Sequence, residues 1–378
     1  MNEEPLLIGF DAKRIVANAT GLGSYGRNLI NSLVQTDSNY RFLLYAPDAG
    51  RDDLRSQVAA SDRIRFVYSG CRTRLGKDWW RRHGMVRDIC RDGVSLFHGL
   101  SGELPSGLRQ RGVKTVMTVH DLIFMRHPEY YKRADVYLYK KKFYSSLLEA
   151  DRIIAISEAT KRDILYYSDY PESQTDVIYQ SCSTTFRQSV SEEKKREVAL
   201  RYALPKTFIL TVGTIEERKN ALLTVKALEH LPATVSLVLL GRRTPYADMV
   251  MEYASRHGLS DRVVFLHGVP NEDLPAIYHL ATVFAYPSRY EGFGIPVIEA
   301  IQSGLPVVVA NSSCLPEAGG PDCFYCDPDD ADTMAQQLSE CINHDQRDRI
   351  LRSQHYVERF ENSNVAEQVI KEYQKVLG

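Results

Sequence analysis

No stretch of this 378-residue chain approaches the roughly 18 consecutive apolar residues of a bilayer-spanning helix. Its first residues, Met-Asn-Glu-Glu-Pro, lack the basic n-region of a secretory leader. Both absences point to a cytoplasmic protein. A disulfide framework is missing as well, since seven cysteines are an odd number without regular spacing and fit a reducing compartment. The single close pair, Cys323-Phe-Tyr-Cys326, reads as strand rather than as a redox or metal motif. Excess charge is absent too: 47 Lys+Arg face 48 Asp+Glu, and a net charge of -1 excludes a strongly basic nucleic-acid binder on overall charge. There is no repeat at solenoid periods and no low-complexity tract.

What is present is βα alternation in two series. With 44% hydrophobic and 25% charged residues the chain can bury ordinary cores, and it is long for one domain. Short apolar runs at 6–10, 41–46, 64–68, 95–98, 115–120, 152–157 and 176–179 read as strands with helices between most of them, and a second set follows at 207–212, 236–241, 263–268, 283–286, 307–310 and 323–326. Such alternation argues for parallel sheets covered on both faces. The polar segment 180–190 is the expected linker, dividing the chain into domains at 1–182 and 183–360, with an amphipathic helix in 361–378 expected to pack back on the first domain. The first 182 residues carry 27 Lys+Arg against 22 Asp+Glu, hence +5, and the remainder 20 against 26, hence -6.

Four places carry candidate chemistry. Gly21-Leu-Gly23-Ser-Tyr-Gly26 matches G-x-G-x-x-G, but ten residues separate it from the strand it should follow, so a nicotinamide site is disfavoured and a glycine loop admitting phosphate to a helix N-terminus is expected. His120-Asp121 ends a strand, where open α/β sheets place ligands; a capped strand end is the alternative. Arg218-Lys219-Asn220 sits at a strand-to-helix turn, either as a solvated basic pair or as two cations facing an anion. Asp327-Pro-Asp-Asp-Ala-Asp332 contains D-x-D, yet Asp at the start of a helix reads better as a cap than as a metal site.

The chain is organised around the fifth. In Ala285-Tyr-Pro-Ser-Arg-Tyr-Glu291-Gly-Phe-Gly-Ile-Pro-Val-Ile-Glu299, two carboxylates stand eight residues apart across a strand-to-helix turn. Pro296 suits the first helical turn, and the amides around Gly294 then point toward an anion with the positive end of the helix dipole behind them. Glu299, about one turn in, reaches back toward whatever those amides bind, and a ribose diol suits it. Separately, Glu299 could merely complement the dipole and Glu291 merely be solvated.

The spacing resembles the E-x7-E motif of the family 4 retaining glycosyltransferases, and the order of motifs from Gly21 to Tyr373 resembles that family along nearly the whole chain, in particular bacterial mannosyltransferases of surface polysaccharide synthesis. The matching pieces are Gly23, His120-Asp121, Ser157-Glu-Ala-Thr, Arg218-Lys219-Asn, Phe265-Leu-His-Gly-Val269, Glu291 to Glu299 and Leu315-Pro-Glu-Ala-Gly. The resemblance implies a GT-B fold, two Rossmann-like α/β domains facing each other across a cleft, and metal-independent transfer of a hexose from a GDP- or UDP-linked sugar to a glycan or lipid-linked acceptor. It implies catalytic roles for His120, Glu291, Lys219 and Arg218. Donor contacts would come from Gly23, Val269 through its backbone, Phe293, Gly294 and Ile295 through their amides, and Glu299 on the ribose. No cofactor and no metal is implied. One position departs: where many members carry a second diphosphate-binding arginine, this chain has Thr214, and Arg218 is the candidate substitute.

Two other readings remain at this level, a nucleotide-sugar epimerase or phosphorylase on the same architecture and a non-catalytic nucleotide-sugar binding protein. Basic residues beside aromatics, Arg72 to Arg82 with Trp79 and Trp80, and Tyr130 to Lys142, further suggest contact with the inner face of the membrane, against the alternative of a solvated face with its aromatics tucked into the core.

Overall fold

The computed structural model describes residues 4–378 and divides the chain into two compact units, residues 1–181 with 360–378, and residues 182–359. In the first unit seven strands are β1 (Leu6–Asp11), β2 (Tyr40–Ala46), β3 (Ile64–Tyr68), β4 (Leu96–Gly99), β5 (Lys114–Val119), β6 (Arg152–Ala155) and β7 (Thr175–Val177). All pair in parallel, in the order β3-β2-β1-β4-β5-β6-β7. Their near-continuous apolar composition follows from this arrangement, because both faces of a parallel sheet are covered. On β2 the alternation is visible: Phe42 and Leu44 join one core with Ile8 and Phe10, while Leu43 and Tyr45 join the other with Phe97 and Met117.

The helix Asn362–Leu377 belongs to this unit although it comes last in the chain. Val365, Ala366, Val369 and Tyr373 enter the first of those cores. Its polar anchors are Glu372, which accepts from Arg152 Nε at 2.7 Å, and the Tyr373 hydroxyl, 2.7 Å from His98 Nδ1.

The second unit has β8 (Phe208–Val212), β9 (Ser236–Leu240), β10 (Val263–Leu266), β11 (Val283–Tyr286), β12 (Val307–Ala310) and β13 (Phe324–Cys326), all parallel, in the order β10-β9-β8-β11-β12-β13. Asp330 caps the helix Ala331–Asn343 by accepting from the Thr333 amide at 2.9 Å, so the acidic run is a helix start. In both sheets the order reverses beside the first strand of the unit, between β1 and β4 and between β8 and β11. Open α/β sheets form their ligand crevices at the carboxyl ends of such a pair.

Candidate functional site

In the second unit, the chain leaving β8 makes a short turn at Glu217–Lys219 and enters the helix Ala221–Leu228 through Asn220, whose φ of 57° is left-handed. Asparagine is among the few residues that adopt this conformation readily. The buried Asn220 amide donates to the carbonyls of Pro287 at 3.1 Å and Pro328 at 2.8 Å, tying the turn to the loops that leave β11 and β13. Arg289 N–H donates to the Arg218 carbonyl at 2.8 Å, and Arg218 Nη1 donates to the Tyr290 carbonyl at 2.6 Å. Two loops from adjacent strands are thereby held as one rigid piece.

This brings together Arg218, Lys219 and Glu291. Glu291 lies 2.5 Å from Lys219 Nζ and 2.9 Å from Arg218 Nη1, and Arg218 also meets Glu216 at 2.8 Å. Lys219 donates to the Tyr286 hydroxyl at 2.6 Å, with its ammonium 4.9 Å from that ring's centre. Burial alone would raise the Glu291 pKa, but Lys219 and then Arg218 outweigh it and hold the carboxyl down at about 2. Burial opposes the charge on both cations, and Glu291 more than restores it, so both stay protonated. Three charged side chains, each with no more than 16% of its side chain exposed, meet at the point of strand reversal.

Beyond Glu291 the loop reaches Gly294, the cap of the helix Ile295–Gln302, with φ of 112°. A Cβ there would also come within 2.9 Å of Leu315, so only glycine starts this helix without strain. Phe293 and Gly294 are buried, and Ile295 opens the helix with Pro296 behind it. Glu299 does not join the ion cluster. It is half-buried and accepts from the Tyr278 hydroxyl at 2.9 Å, and burial, only partly offset by that bond, pushes its pKa up to about 7. Val269 follows β10, the edge strand, on the same carboxyl side of the sheet.

His120 and Gly23 lie in the first unit. Both ring nitrogens of His120 are engaged: Nε2 is 2.8 Å from the Leu100 carbonyl and Nδ1 is 2.6 Å from the Gln180 amide nitrogen. A carbonyl only accepts, so Nε2 carries the proton and Nδ1 accepts from Gln180, which is the neutral ring. Burial agrees, lowering the His120 pKa to about 4. Tyr25 packs edge-on against this ring at 4.7 Å. The expected glycine loop is instead helix: Gly21–Val34 is continuous, preceded by the short helix Lys13–Ala17. The physical reason is packing. A Cβ on Gly23 would fall 1.8 Å from the Asn18 carbonyl oxygen, and one on Gly26 would fall 2.7 Å from Ile15, so these glycines let the two helices approach.

Sequence reasoning named Asn220 without giving it a role, and missed the other supporting residues. Asn220 pins the loops, Tyr286 bridges Lys219 and Glu291, Tyr278 holds Glu299 and Gln180 orients His120. Only Asn220 carried a signal, its tolerance of left-handed backbone beside a basic pair. Of the aromatic-basic stretch, Trp80 is buried and donates to Asp88 Oδ2 at 2.6 Å, which removes it from any surface role, whereas Trp79 is 60% exposed.

Comparison with known proteins agrees with this architecture. Residues 19–185 match the family model described as Glycosyltransferase Family 4, and residues 192–357 match the one described as Glycosyl transferases group 1. The chain is 31% identical over 255 residues to O-antigen chain mannosyltransferase B of Escherichia coli, an alignment covering 66% of each protein. It is 30% identical over 240 residues to the serotype-specific mannosyltransferase WbdA of Escherichia coli, covering 61% of this chain and 29% of that longer protein. The chain thus spans just under two-thirds of the first relative's length and under a third of the second's. The crystal structure of Anabaena HepE in complex with UDP superimposes with a TM-score of 0.74 at 16% identity, covering 98% of this chain and 100% of that one. Two parallel Rossmann-like sheets, a GT-B likeness over nearly the full length and both family matches place this chain in the family 4 glycosyltransferases.

Proposed function

We propose that the chain transfers a hexose, mannose by the example of its relatives, from a GDP- or UDP-linked donor to a glycan or lipid-linked acceptor with retention of anomeric configuration. The observation that supports this best is the Arg218–Lys219–Glu291 cluster at the strand reversal, beside the helix start at Gly294. In this reading the donor diphosphate competes with Glu291 for the two cations and is also met by the amides of Phe293 to Ile295, at the positive end of the helix dipole. Arg218 supplies the second cation that Thr214 does not. Glu291, released from its ion pairs, accepts from hydroxyls of the transferred sugar. Glu299 holds the ribose and Val269 meets the nucleobase through its backbone, while a neutral His120 and Gly23 keep in this reading the roles that the family resemblance implies.

The chemistry is leaving-group stabilisation. The anomeric C–O bond to phosphate breaks, a new bond forms to the acceptor oxygen, and the acceptor proton passes to a donor phosphate oxygen, while fixed cations and amides meet the charge that grows on the diphosphate. No metal is required in this scheme. The relatives do not favour the epimerase, phosphorylase or binding-protein readings.

The acceptor side of the proposal includes a membrane. No helix among the described residues is long and apolar enough to cross one. The helix Arg133–Leu147, however, exposes Tyr137, Leu138, Tyr139 and Tyr144 together with Lys140 and Lys141, and the proposed contact is the anionic inner face of the cytoplasmic membrane. Thermal-shift screening against GDP- and UDP-sugars, followed by NMR of the product's anomeric proton, tests the proposal. A donor at about 100 times its Kd stabilises by about 2.7 kcal/mol. Absence of any shift, or an inverted product, rejects it.

A further inference from the structure

The loop that carries Glu291 and Gly294 is laid against a second loop, residues 311–314, which leaves β12 for the helix Leu315–Gly319. Three consecutive residues of that second loop meet the first. Ser312 Oγ donates to the Ser288 carbonyl at 2.7 Å, and Ser313 Oγ accepts from the Glu291 amide at 3.0 Å. Cys314 Sγ lies 3.1 Å from the Glu291 carbonyl and 3.0 Å from that of Phe293, so its one proton is shared between two acceptors. The thiol is fully buried, and burial together with the nearby Glu291 carboxylate raises its pKa well above the ordinary value. It therefore stays a donor.

Ser313 stands at a φ of 48°, in the left-handed region. Serine is not among the residues that adopt this backbone readily, whereas glycine occupies it without strain. Strained positions persist only where the surroundings enforce them, and they gather at active sites and ligand clamps. What glycine would lack here is the Oγ that takes the Glu291 amide. Both backbone polar groups of Glu291 are thus held by this loop, while its carboxylate meets Lys219 and Arg218.

We infer that Ser313 and Cys314 are positioning residues for the donor, setting where the Glu291 carboxylate and the amides of Phe293 to Ile295 stand before a nucleotide sugar arrives. The hydrogen bonds carry the clamp itself, and what it is held ready for rests on the glycosyltransferase reading. Such holding matters because a misplacement of about 1 Å can cost about 10²-fold in rate.

Ser313→Ala and Ser313→Gly separate positioning from mere stability. Both remove Oγ, but only glycine accepts the backbone, so the glycine variant should melt higher than the alanine variant. In titration calorimetry on the full chain, GDP or UDP, whichever the wild type binds, should bind about tenfold more weakly to both, the equilibrium effect of one lost hydrogen bond. Cys314→Ala should weaken binding likewise, and Cys314→Ser, which keeps a donor, should regain most of it. Unchanged affinity in both Ser313 variants, a loss confined to the less stable of the two, or a Cys314→Ser variant as weak as Cys314→Ala overturns the inference. If the wild type binds neither nucleotide, the donor reading falls and hydrogen exchange decides the clamp. Peptides spanning residues 288–294 should then exchange about tenfold faster in Ser313→Gly than in the wild type, and an equal rate overturns it.

Discussion

The two sheets reverse strand order in the same way, yet the crevices beside β1 and β8 hold different chemistry. At β8 two cations share the buried Glu291, Arg218 also meets the more exposed Glu216, and the start of a helix stands next to them. At β1 the ion pairs run as a chain from Asp11 through Arg81 and Glu103 to Lys142, beside a cavity that Lys141 also lines. The first sets its cations beside the amides of a helix start, and the second sets both signs of charge along the wall of a cavity. One topology thus supplies two crevices, and the side chains delivered to the carboxyl edges decide what each can hold.

The sharpest break of that contrast is Lys219→Ala. Removing one preorganised cation should lower kcat about 10²–10³-fold, measured with saturating donor and acceptor. A loss under twofold takes Lys219 out of the site. Arg218→Ala should lose a comparable factor if Arg218 stands in for the arginine that Thr214 replaces, and an unchanged kcat ends that assignment.

Stability gives the next test, in the first unit. Tyr373→Phe leaves a ring nitrogen of the buried His98 without its partner and should cost about 1–3 kcal/mol in denaturant unfolding. Burial forces His98 neutral, with its pKa down at about 3 against 6.5 when unfolded. The stability it contributes is therefore present above pH 6.5 and lost as pH falls toward 3. A variant as stable as wild type refutes the anchoring role.

Glu299, in the second unit, has the opposite sign. Its pKa is raised from 4.5 to about 7, so the native state binds a proton that the unfolded state releases. That contribution is complete below pH 4.5 and lost as pH rises to 7. Glu299→Gln should melt progressively higher relative to wild type as pH goes from about 5 to about 7.5, the window this shift defines. A pH-independent difference means that Glu299 does not titrate there. The smallest expected effect is none: EDTA should leave activity unchanged, because two cations and helix amides meet the diphosphate, and loss that Mg²⁺ or Mn²⁺ restores contradicts that scheme.

Much of this architecture was legible because it rests on local and periodic signals. Apolar runs of strand length separated by helical spacing announce parallel sheets, since both faces of such a sheet are buried. Gly294 and Pro296 were legible because a helix start demands particular residues at particular offsets, whereas Glu291 and Glu299 stood out as a spaced pair across that turn. At Gly23 and Gly26 the structure has a close helix crossing where a loop was expected, since the same residue serves both, and the Asn18 carbonyl at Gly23 and Ile15 at Gly26 separate the two. Trp80 misled likewise, because burial is a property of the packed unit and not of the residues beside it in the chain.

What the sequence by itself determined is the order of strands and helices and the motif at the helix start, because backbone preference and hydrophobic period act over a few residues. Tertiary structure alone decided which charges meet. Arg81 reaches Asp11 across 70 positions and Lys219 reaches Glu291 across 72. Ion pairing depends on distances of a few ångströms, and only the packed sheets bring such distant positions that close.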